Sequence, residues 1–308
     1  MQIFSTITNL TNTYDNIVIA LGTFDGVHRG HQSIIQQAIH LAKSIGGVCV
    51  VLTFSNHPLT ILSPANAPLK ISDNRCKQAD MAALGVDILM NVPFTKKMSA
   101  LSPLEFLQLL KDNFAPKYVV VGPNYSFGRK GEGTPKMLLQ KSAAYGFIAE
   151  IHPVVQVNHH LISSTKIRNL LLGGQLEAAN TMLGKPYRIS GTVIPGDQRG
   201  RLLGFPTANL AIGEHRAMLP NGVYAVRTTV DGTAYRAVAN IGTNPTFNGL
   251  TRHVEVHLLN FAQDLYEKTI FVEFLKKIRD EKKFSGKDAL INQIQADITA
   301  AAAIIDLQ

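Results

Sequence analysis

Between Ile17 and Ser44 the chain runs from an apolar stretch, Ile17-Val18-Ile19-Ala20-Leu21, through Gly22-Thr23-Phe24-Asp25-Gly26-Val27-His28-Arg29-Gly30-His31, into an amphipathic segment from Ser33 to Ser44. The order is strand, glycine turn, helix, which leaves little choice of architecture. A helix that follows a strand this closely packs back over the sheet, and the next strand then enters parallel to the first. Further β-rich apolar runs follow at Val48 to Phe54, Ile88 to Val92, Tyr118 to Val121 and Ala149 to Val155, separated by helix-like stretches. Ser102-Pro103-Leu104-Glu105 reads as a capping box with proline in the first turn; Thr134-Pro135 opens another helix and Gly146 is placed to end it. Strands that are apolar almost throughout are buried on both faces, so the first half is expected to be an α/β fold, a doubly wound parallel sheet. Ligands of such sheets bind beyond the carboxyl ends of the strands, where the turn lies.

Four polar segments fall at that edge. His28 and His31 are one helical turn apart and share a face, with Gly30 keeping the backbone bare between them. Beside a helix N-terminus they suit the phosphates of a nucleotide, and Gly22, Phe24 and Asp25 complete the turn. The second segment is Phe54-Ser55-Asn56-His57-Pro58 and the third is Gly122-Pro123-Asn124-Tyr125-Ser126-Phe127-Gly128-Arg129. The fourth is Ser163-Ser164-Thr165-Lys166-Ile167-Arg168, in which hydroxyls cap a helix and a guanidinium follows one turn later. Alone, the fourth reads as plain N-capping; with the other three it reads as an anion site.

After Lys185-Pro186-Tyr187 the texture changes to short strands and turns, with no long helix before the segment from Lys287 to Ile305. Val223 to Val230, Asp231-Gly232 and Thr233 to Ala239 form a hairpin with a two-residue turn. His253 to Leu258 and Thr269 to Leu275 add strands, so residues 185–308 are expected to form a small antiparallel β-barrel closed by a terminal helix, after a first domain of residues 1–184. Gly196-Asp197-Gln198-Arg199-Gly200-Arg201-Leu202-Leu203-Gly204-Phe205-Pro206-Thr207-Ala208-Asn209 has enough glycine to wrap backbone around phosphates. Thr207 and Asn209 point the same way on an extended chain and offer neutral oxygens to Mg²⁺ carried by ATP. In His253-Val254-Glu255-Val256-His257-Leu258, alternation places Glu255 between two histidines on the polar face, where it is a candidate base or a solvated side chain.

Composition narrows the partners. A hydrophobic share of 45% and a charged share of 17% describe an ordinary globular protein, and no apolar run is long enough to suggest a membrane span. The net charge of +8 admits nucleic acid, anionic membrane or anionic small molecules, but the basic residues are dispersed and Trp is absent, which argues against a base-stacking platform. Neither a nucleic-acid nor a membrane partner is expected, and nothing specifies an oligomeric state. Met1 to Thr6 lacks the form of a secretory signal, Cys49 and Cys76 are the two cysteines, and the cytoplasm is the expected compartment.

On the His28-Arg29-Gly30-His31 turn, the Ser163-to-Arg168 segment and the Gly204-Phe205-Pro206-Thr207-Ala208-Asn209 loop, in this order over nearly the whole chain, the sequence resembles the bacterial bifunctional riboflavin kinase/FAD synthetases. The resemblance implies that the barrel phosphorylates riboflavin to FMN and that the first domain adenylylates FMN to FAD, each with ATP and Mg²⁺. The flavins are then substrates and products, and no organic cofactor is resident. It further implies that His28 and His31 contact ATP phosphates and stabilise the transition state, that Ser163, Ser164, Thr165 and Arg168 grip the nucleotide, and that Asn124 and Phe127, with Asn56 and His57, lie on the flavin side. In the kinase it implies Glu255 as base, Gly204 and Pro206 beside the nucleotide, Thr207 and Asn209 at the metal, and Arg279 and Phe284 at a flavin-side flap. The chain departs from the family at Glu267, where glycine is usual after Asp264-Leu265-Tyr266, and in Asn124-Tyr125-Ser126-Phe127, where a charged aromatic-rich loop is usual. Glu267 motivates an alternative in which the barrel is a degenerate flavin-binding module. Lys97-Met98-Ser99 resembles the lysine signature of class I aminoacyl-tRNA synthetases but lacks its following lysine and an anticodon-binding region.

Overall fold

Short strands buried on both faces organise the first part of the chain. The structure is a computed structural model. It describes the 308 residues apart from 158–159, 197–198, 214, 247–248 and 307–308, and of 199, 244–246 and 249–251 it describes the backbone alone. Asp197 and Gln198 of the glycine-rich loop thus lie outside the described residues. The chain packs as two units, one of Met1–Lys70 with Lys77–Ser164 and one of Ile71–Cys76 with Thr165–Gln308.

The first region contains β1 (Gln2–Phe4), β2 (Val18–Leu21), α1 (Arg29–Ser44), β3 (Cys49–Phe54), α2 (Leu59–Leu62), α3 (Asn74–Leu84), β4 (Ile88–Val92), α4 (Lys96–Ala100), α5 (Pro103–Phe114), β5 (Tyr118–Val121), α6 (Pro135–Lys141), β6 (Ile148–Ile151) and a small ribbon of β7 (Gln156–Val157) and β8 (His160–Leu161). The six-stranded sheet has the order β1-β4-β3-β2-β5-β6 and its pairs are all parallel. Val18, Ala20, Val51 and Val120 pack with Ile35, Ala38 and Ala42 of α1 and Met81 of α3. Ile19, Leu21, Val50 and Val121 face Phe106, Leu107 and Leu110 of α5 and Leu138 of α6. The doubly wound reading holds. The capping box at Ser102 and Glu105 is formed, with both reciprocal bonds made. Two details differ from expectation. β1 is a mostly exposed three-residue edge strand with too little apolar signal to read. β6 stops at Ile151, two residues before Pro153, which has no N–H to extend the ladder.

The second region contains α7 (Ser164–Leu172), α8 (Leu176–Leu183), β9 (Tyr187–Ile194), α9 (Arg199–Leu202), β10 (Ala208–Ala211), β11 (Gly222–Val230), β12 (Thr233–Thr246), β13 (Gly249–Leu258), β14 (Thr269–Arg279) and α10 (Lys287–Asp306). β9 to β14 close a barrel in the order β10-β13-β12-β11-β14-β9, antiparallel throughout. Asp231 and Gly232 both have positive φ, 47° and 83°, the turn that matches a hairpin's twist. Ala301 and Ile305 of α10 cover Val223, Ala225, Val238 and Leu275 on the outside of β11, β12 and β14. That leaves the outer face of β10 and β13 to polar residues.

Asp73, from the early segment Ile71–Cys76, is built into this second unit. Its carboxylate pairs with the buried Arg216 and accepts from the Ser190 hydroxyl at 2.8 Å and the Cys76 N–H at 2.7 Å. Burial works to raise its pKa, but Arg216 and these donors outweigh that and hold the carboxyl at about 2, against an ordinary 3.8. A depressed carboxylate pKa stabilises the fold above the unfolded value and loses that contribution as pH falls through the folded one. Asp73→Asn leaves the buried guanidinium without its counter-charge and should cost about 3 kcal/mol or more at neutral pH. Urea unfolding should show the gap between variant and wild type closing as pH drops from about 4 towards 2.

Candidate active sites

β2 is the topological switch point of the parallel sheet, with β3 on one side and β5 on the other. The residues that follow each of these strands converge there on a cavity of about 480 Å³. The turn after β2 is backbone-strained: Phe24 and Val27 have φ of 47° and 41°, and Gly26 has 82°. Burial of the Phe24 and Val27 side chains, 1% and 0% exposed, anchors that conformation. Gly22 is required here, since a Cβ would lie 2.8 Å from the Phe24 ring. His28 caps α1, its Nδ1 accepting from the His31 N–H at 3.3 Å. The two imidazoles stack with centroids 3.5 Å apart, and the Phe24 ring meets His31 edge-on at 5.3 Å. Sequence spacing foresaw the shared face; the stacking is a structural addition.

Gly22, Thr23, Phe24, His28, Gly30, His31, Ser163 and Ser164 supply the polar wall of the cavity. The Ser164 hydroxyl donates to the Asp25 carbonyl at 3.1 Å, tying the fourth segment to the turn. Asp25 is buried and stands behind that wall. Asn124, Tyr125 and Phe127 face an aromatic and aliphatic wall of Phe54, Pro58, Leu62, Phe94, Met98 and Phe106. That wall was not read from the sequence beyond Phe54 and Pro58; its signal is the apolar residues that recur in loops, where they have no core of their own to fill. Met98, in the lysine-signature decoy, is one of its members, on a short helix capped by Thr95. Asn56 acts one step back: its amide accepts from the Phe94 N–H at 2.7 Å and donates to the Phe94 carbonyl at 3.1 Å. His57 accepts from the Leu59 N–H at the start of α2. Thr165 and Arg168 continue along α7 and pack with the second unit.

In the barrel, β13 pairs with β10 and β12 so that Glu255 lies opposite Asn209 on one side and Asn240 on the other. Directly opposed residues in antiparallel strands share a face, so the three form a row outside the barrel, on the side α10 leaves open. Asn240 was missed because the β12 run was read only to Ala239; strand register would have found it. His253 Nε2 lies 4.0 Å from the Glu255 carboxylate, and His257 Nδ1 is 2.7 Å from the Pro206 carbonyl. Gly196 packs so closely that a Cβ would lie 2.1 Å from the Asn209 amide, and Gly200 sits near the Thr207 hydroxyl. Thr207, Pro206, Arg201, Val256 and the Phe261-to-Tyr266 loop line a second cavity of about 510 Å³. Gly204 takes φ of 88°, a glycine conformation in the turn that leads to Pro206. Arg279 is held by Asp297 of α10 through three bonds of 2.7 to 3.0 Å and lies over the Phe284 ring at 5.7 Å. Its guanidinium therefore fastens the terminal helix.

A switch-point cavity with an anion-binding wall and an aromatic wall, together with a barrel that sets a carboxylate beside neutral oxygen donors, defines a two-module enzyme of phosphate-group transfer. The comparisons agree. A family model described as FAD synthetase matches residues 10–166 and one described as riboflavin kinase matches residues 183–305. The bifunctional riboflavin kinase/FMN adenylyltransferase of Listeria monocytogenes is 41% identical over 92% of this chain and 90% of its own. Its Escherichia coli K12 namesake is 36% identical over 100% and 99%. A solved structure described as a macrolide-efflux protein from Streptococcus pneumoniae is 31% identical, covers 98% of this chain and 99% of its own, and superposes with a TM-score of 0.85. Among the described residues of the present chain, no helix is long and apolar enough to cross a membrane. The chain belongs to the bifunctional riboflavin kinase/FMN adenylyltransferase family.

These matches favour a bifunctional enzyme over a degenerate barrel, and the structure removes the reason for doubting it. Glu267 adopts φ of 64°, the left-handed conformation that glycine would take, and its N–H reaches the Val193 carbonyl at 2.9 Å. The turn is kept and carries strain of about 1–2 kcal/mol. Glu267→Gly should relieve it at some entropic cost, for a net gain of about 0.5–1 kcal/mol in unfolding free energy. Thermal unfolding beside a riboflavin phosphorylation assay should show a higher midpoint with turnover unchanged.

Proposed function

We propose that residues 1–184 transfer the adenylyl group of ATP to FMN and that residues 185–308 transfer the γ-phosphoryl group of ATP to riboflavin, both in the cytoplasm. The observation that carries this reading is the cavity at β2, where the stacked histidines and a helix N-terminus face an aromatic wall. A nucleotide triphosphate and an isoalloxazine ring require those two surfaces side by side. In the adenylyl step a phosphate oxygen of FMN attacks the α-phosphorus of ATP and pyrophosphate leaves with the bonding electrons. No protein nucleophile is needed. The work of the site is alignment of two polyanions and stabilisation of charge on the non-bridging oxygens, for which His28, His31 and the first N–H groups of α1 are placed.

In the barrel, the terminal ribityl hydroxyl attacks the γ-phosphorus, ADP leaves, and Glu255 takes the hydroxyl proton as the new P–O bond forms. Glu255 is 35% exposed, open enough for a hydroxyl to reach it. A divalent cation arrives with ATP as part of the substrate. The Thr207 hydroxyl and Asn209 amide oxygen suit Mg²⁺, and the bare backbone at Gly196 and Gly200 leaves room beside them. Cys49 and Cys76 are buried free thiols, with burial pushing Cys49 up to about 12, which supports a reducing compartment.

The two reactions should separate by mutation. Chromatography of products from riboflavin or FMN with ATP and Mg²⁺ reads both. His31→Ala should lower FAD formation from FMN by about 100-fold or more and leave FMN formation intact. Glu255→Ala should lower FMN formation by about 100-fold or more and leave FAD formation from FMN intact. Loss of both activities in either folded variant would overturn the two-site reading.

A further inference from the structure

Lys77, on α3, is 6% exposed, and its ammonium has three acceptors. They are the Phe54 carbonyl at 2.9 Å, the Thr23 carbonyl at 3.0 Å and the Thr53 hydroxyl at 3.5 Å. The Thr53 hydroxyl also donates to the Thr23 carbonyl, at 3.0 Å. β2 ends at Leu21 and β3 at Phe54, so the ammonium joins the two chains where they leave the sheet. Each tie leads to one wall of the cavity. Thr23 precedes Phe24, whose ring meets His31; the Phe54 ring packs edge-on against Phe94 at 5.0 Å. Lys77 itself does not line the cavity.

We propose that Lys77 is a positioning residue for adenylyl transfer, its ammonium fixing the separation between the histidine turn that receives the nucleotide and the aromatic wall that receives the flavin. The inference rests on the assignment of adenylyl transfer to this unit. A buried ammonium suits the task because one atom supplies three donors, and each is used. Each substrate binds chiefly to its own wall, so loss of the tie leaves both binding surfaces and disturbs their relative placement. In-line attack is sensitive to that placement, and the defect belongs in kcat.

The tie is also sensitive to pH. Burial lowers the Lys77 pKa to about 8; Asp25 of the turn works against this fall and Lys70 of the preceding loop adds to it. Asp80 is the nearest carboxylate along the same helix, one turn on, and β3 offers Lys77 only the neutral acceptors of Thr53 and Phe54. Above pH 8 the ammonium loses its charge and a donor, at a pH where the phosphates of both substrates are already ionised.

The test uses the full chain, with FAD formation from FMN and FMN formation from riboflavin measured on the same preparations of wild type, Lys77→Met and Lys77→Arg. Lys77→Met should lower kcat for FAD formation by about tenfold or more, with KM for ATP and FMN within about threefold, and leave FMN formation unchanged. Lys77→Arg should recover part of the loss. Wild-type kcat for FAD formation should fall as pH rises through about 8, and that limb should be absent in Lys77→Arg, whose guanidinium stays protonated. A folded Lys77→Met with wild-type kcat, or with a loss confined to KM, overturns the proposal. Where circular dichroism shows Lys77→Met unfolded, the pH profiles decide, and coincident profiles for wild type and Lys77→Arg overturn it. A wild type that makes no FAD from FMN refutes the underlying assignment and not the role of Lys77.

Discussion

The structure of the first unit depends on a backbone that would not hold its shape alone. Between Phe24 and Val27 the chain enters the left-handed region three times, at Phe24, Gly26 and Val27. Glycine does so freely, whereas a phenylalanine and a β-branched valine each cost about 1–3 kcal/mol. The cost is met by burial of both side chains and by bonds that close the turn, Val27 N–H to the Phe24 carbonyl at 3.3 Å and the Gln32 amide to the Val27 carbonyl at 2.8 Å. The reward is directional. The turn decides where α1 begins, and hence where its first N–H groups and the imidazoles of His28 and His31 point. It also carries the Asp25 carbonyl that Ser164 reaches from a distant part of the chain.

The two modules handle phosphate by different means. The parallel sheet gathers loop ends at one edge, so its cavity is made of residues far apart in sequence, with charge stabilised by donors from a helix start and from imidazole. The barrel works across strands. Asn209, Glu255 and Asn240 are neighbours through register, and their fixed spacing is that of the β ladder itself. A site on regular strands is rigid by construction; a site on loops needs supports behind it, and Asn56 clamping Phe94 is one of them.

How far the sequence could be read follows from this difference. Strands apolar throughout, such as Val18–Leu21, and local punctuation, such as Ser102-Pro103-Leu104-Glu105, declare themselves because their causes lie within a few residues. The histidine turn was legible for the same reason. Residues whose orientation depends on remote partners were not. Arg279 looked like a free cation until Asp297 was found beneath it, and Asn56 looked like a cavity ligand until both its amide atoms were found on Phe94. Glu267 misled in the opposite sense. Composition said that glycine was missing, while the backbone kept the glycine conformation. The aromatic wall went mostly unread because Phe94, Met98 and Phe106 come from separate segments that only the closed sheet brings together.

The segment Ile71–Cys76 makes the second packing unit discontinuous along the chain. Asp73 meets Arg216 across 143 intervening positions, and Ser190 across 117. During synthesis, which runs from the N-terminus, the anionic half of this pair leaves the ribosome long before the cationic half exists. The barrel therefore cannot reach its final form as the last strands emerge unless that early segment is still available to it. Order of translation and order of completion run separately in this protein, and a gene cut cleanly between its two activities would divide one of its folding units.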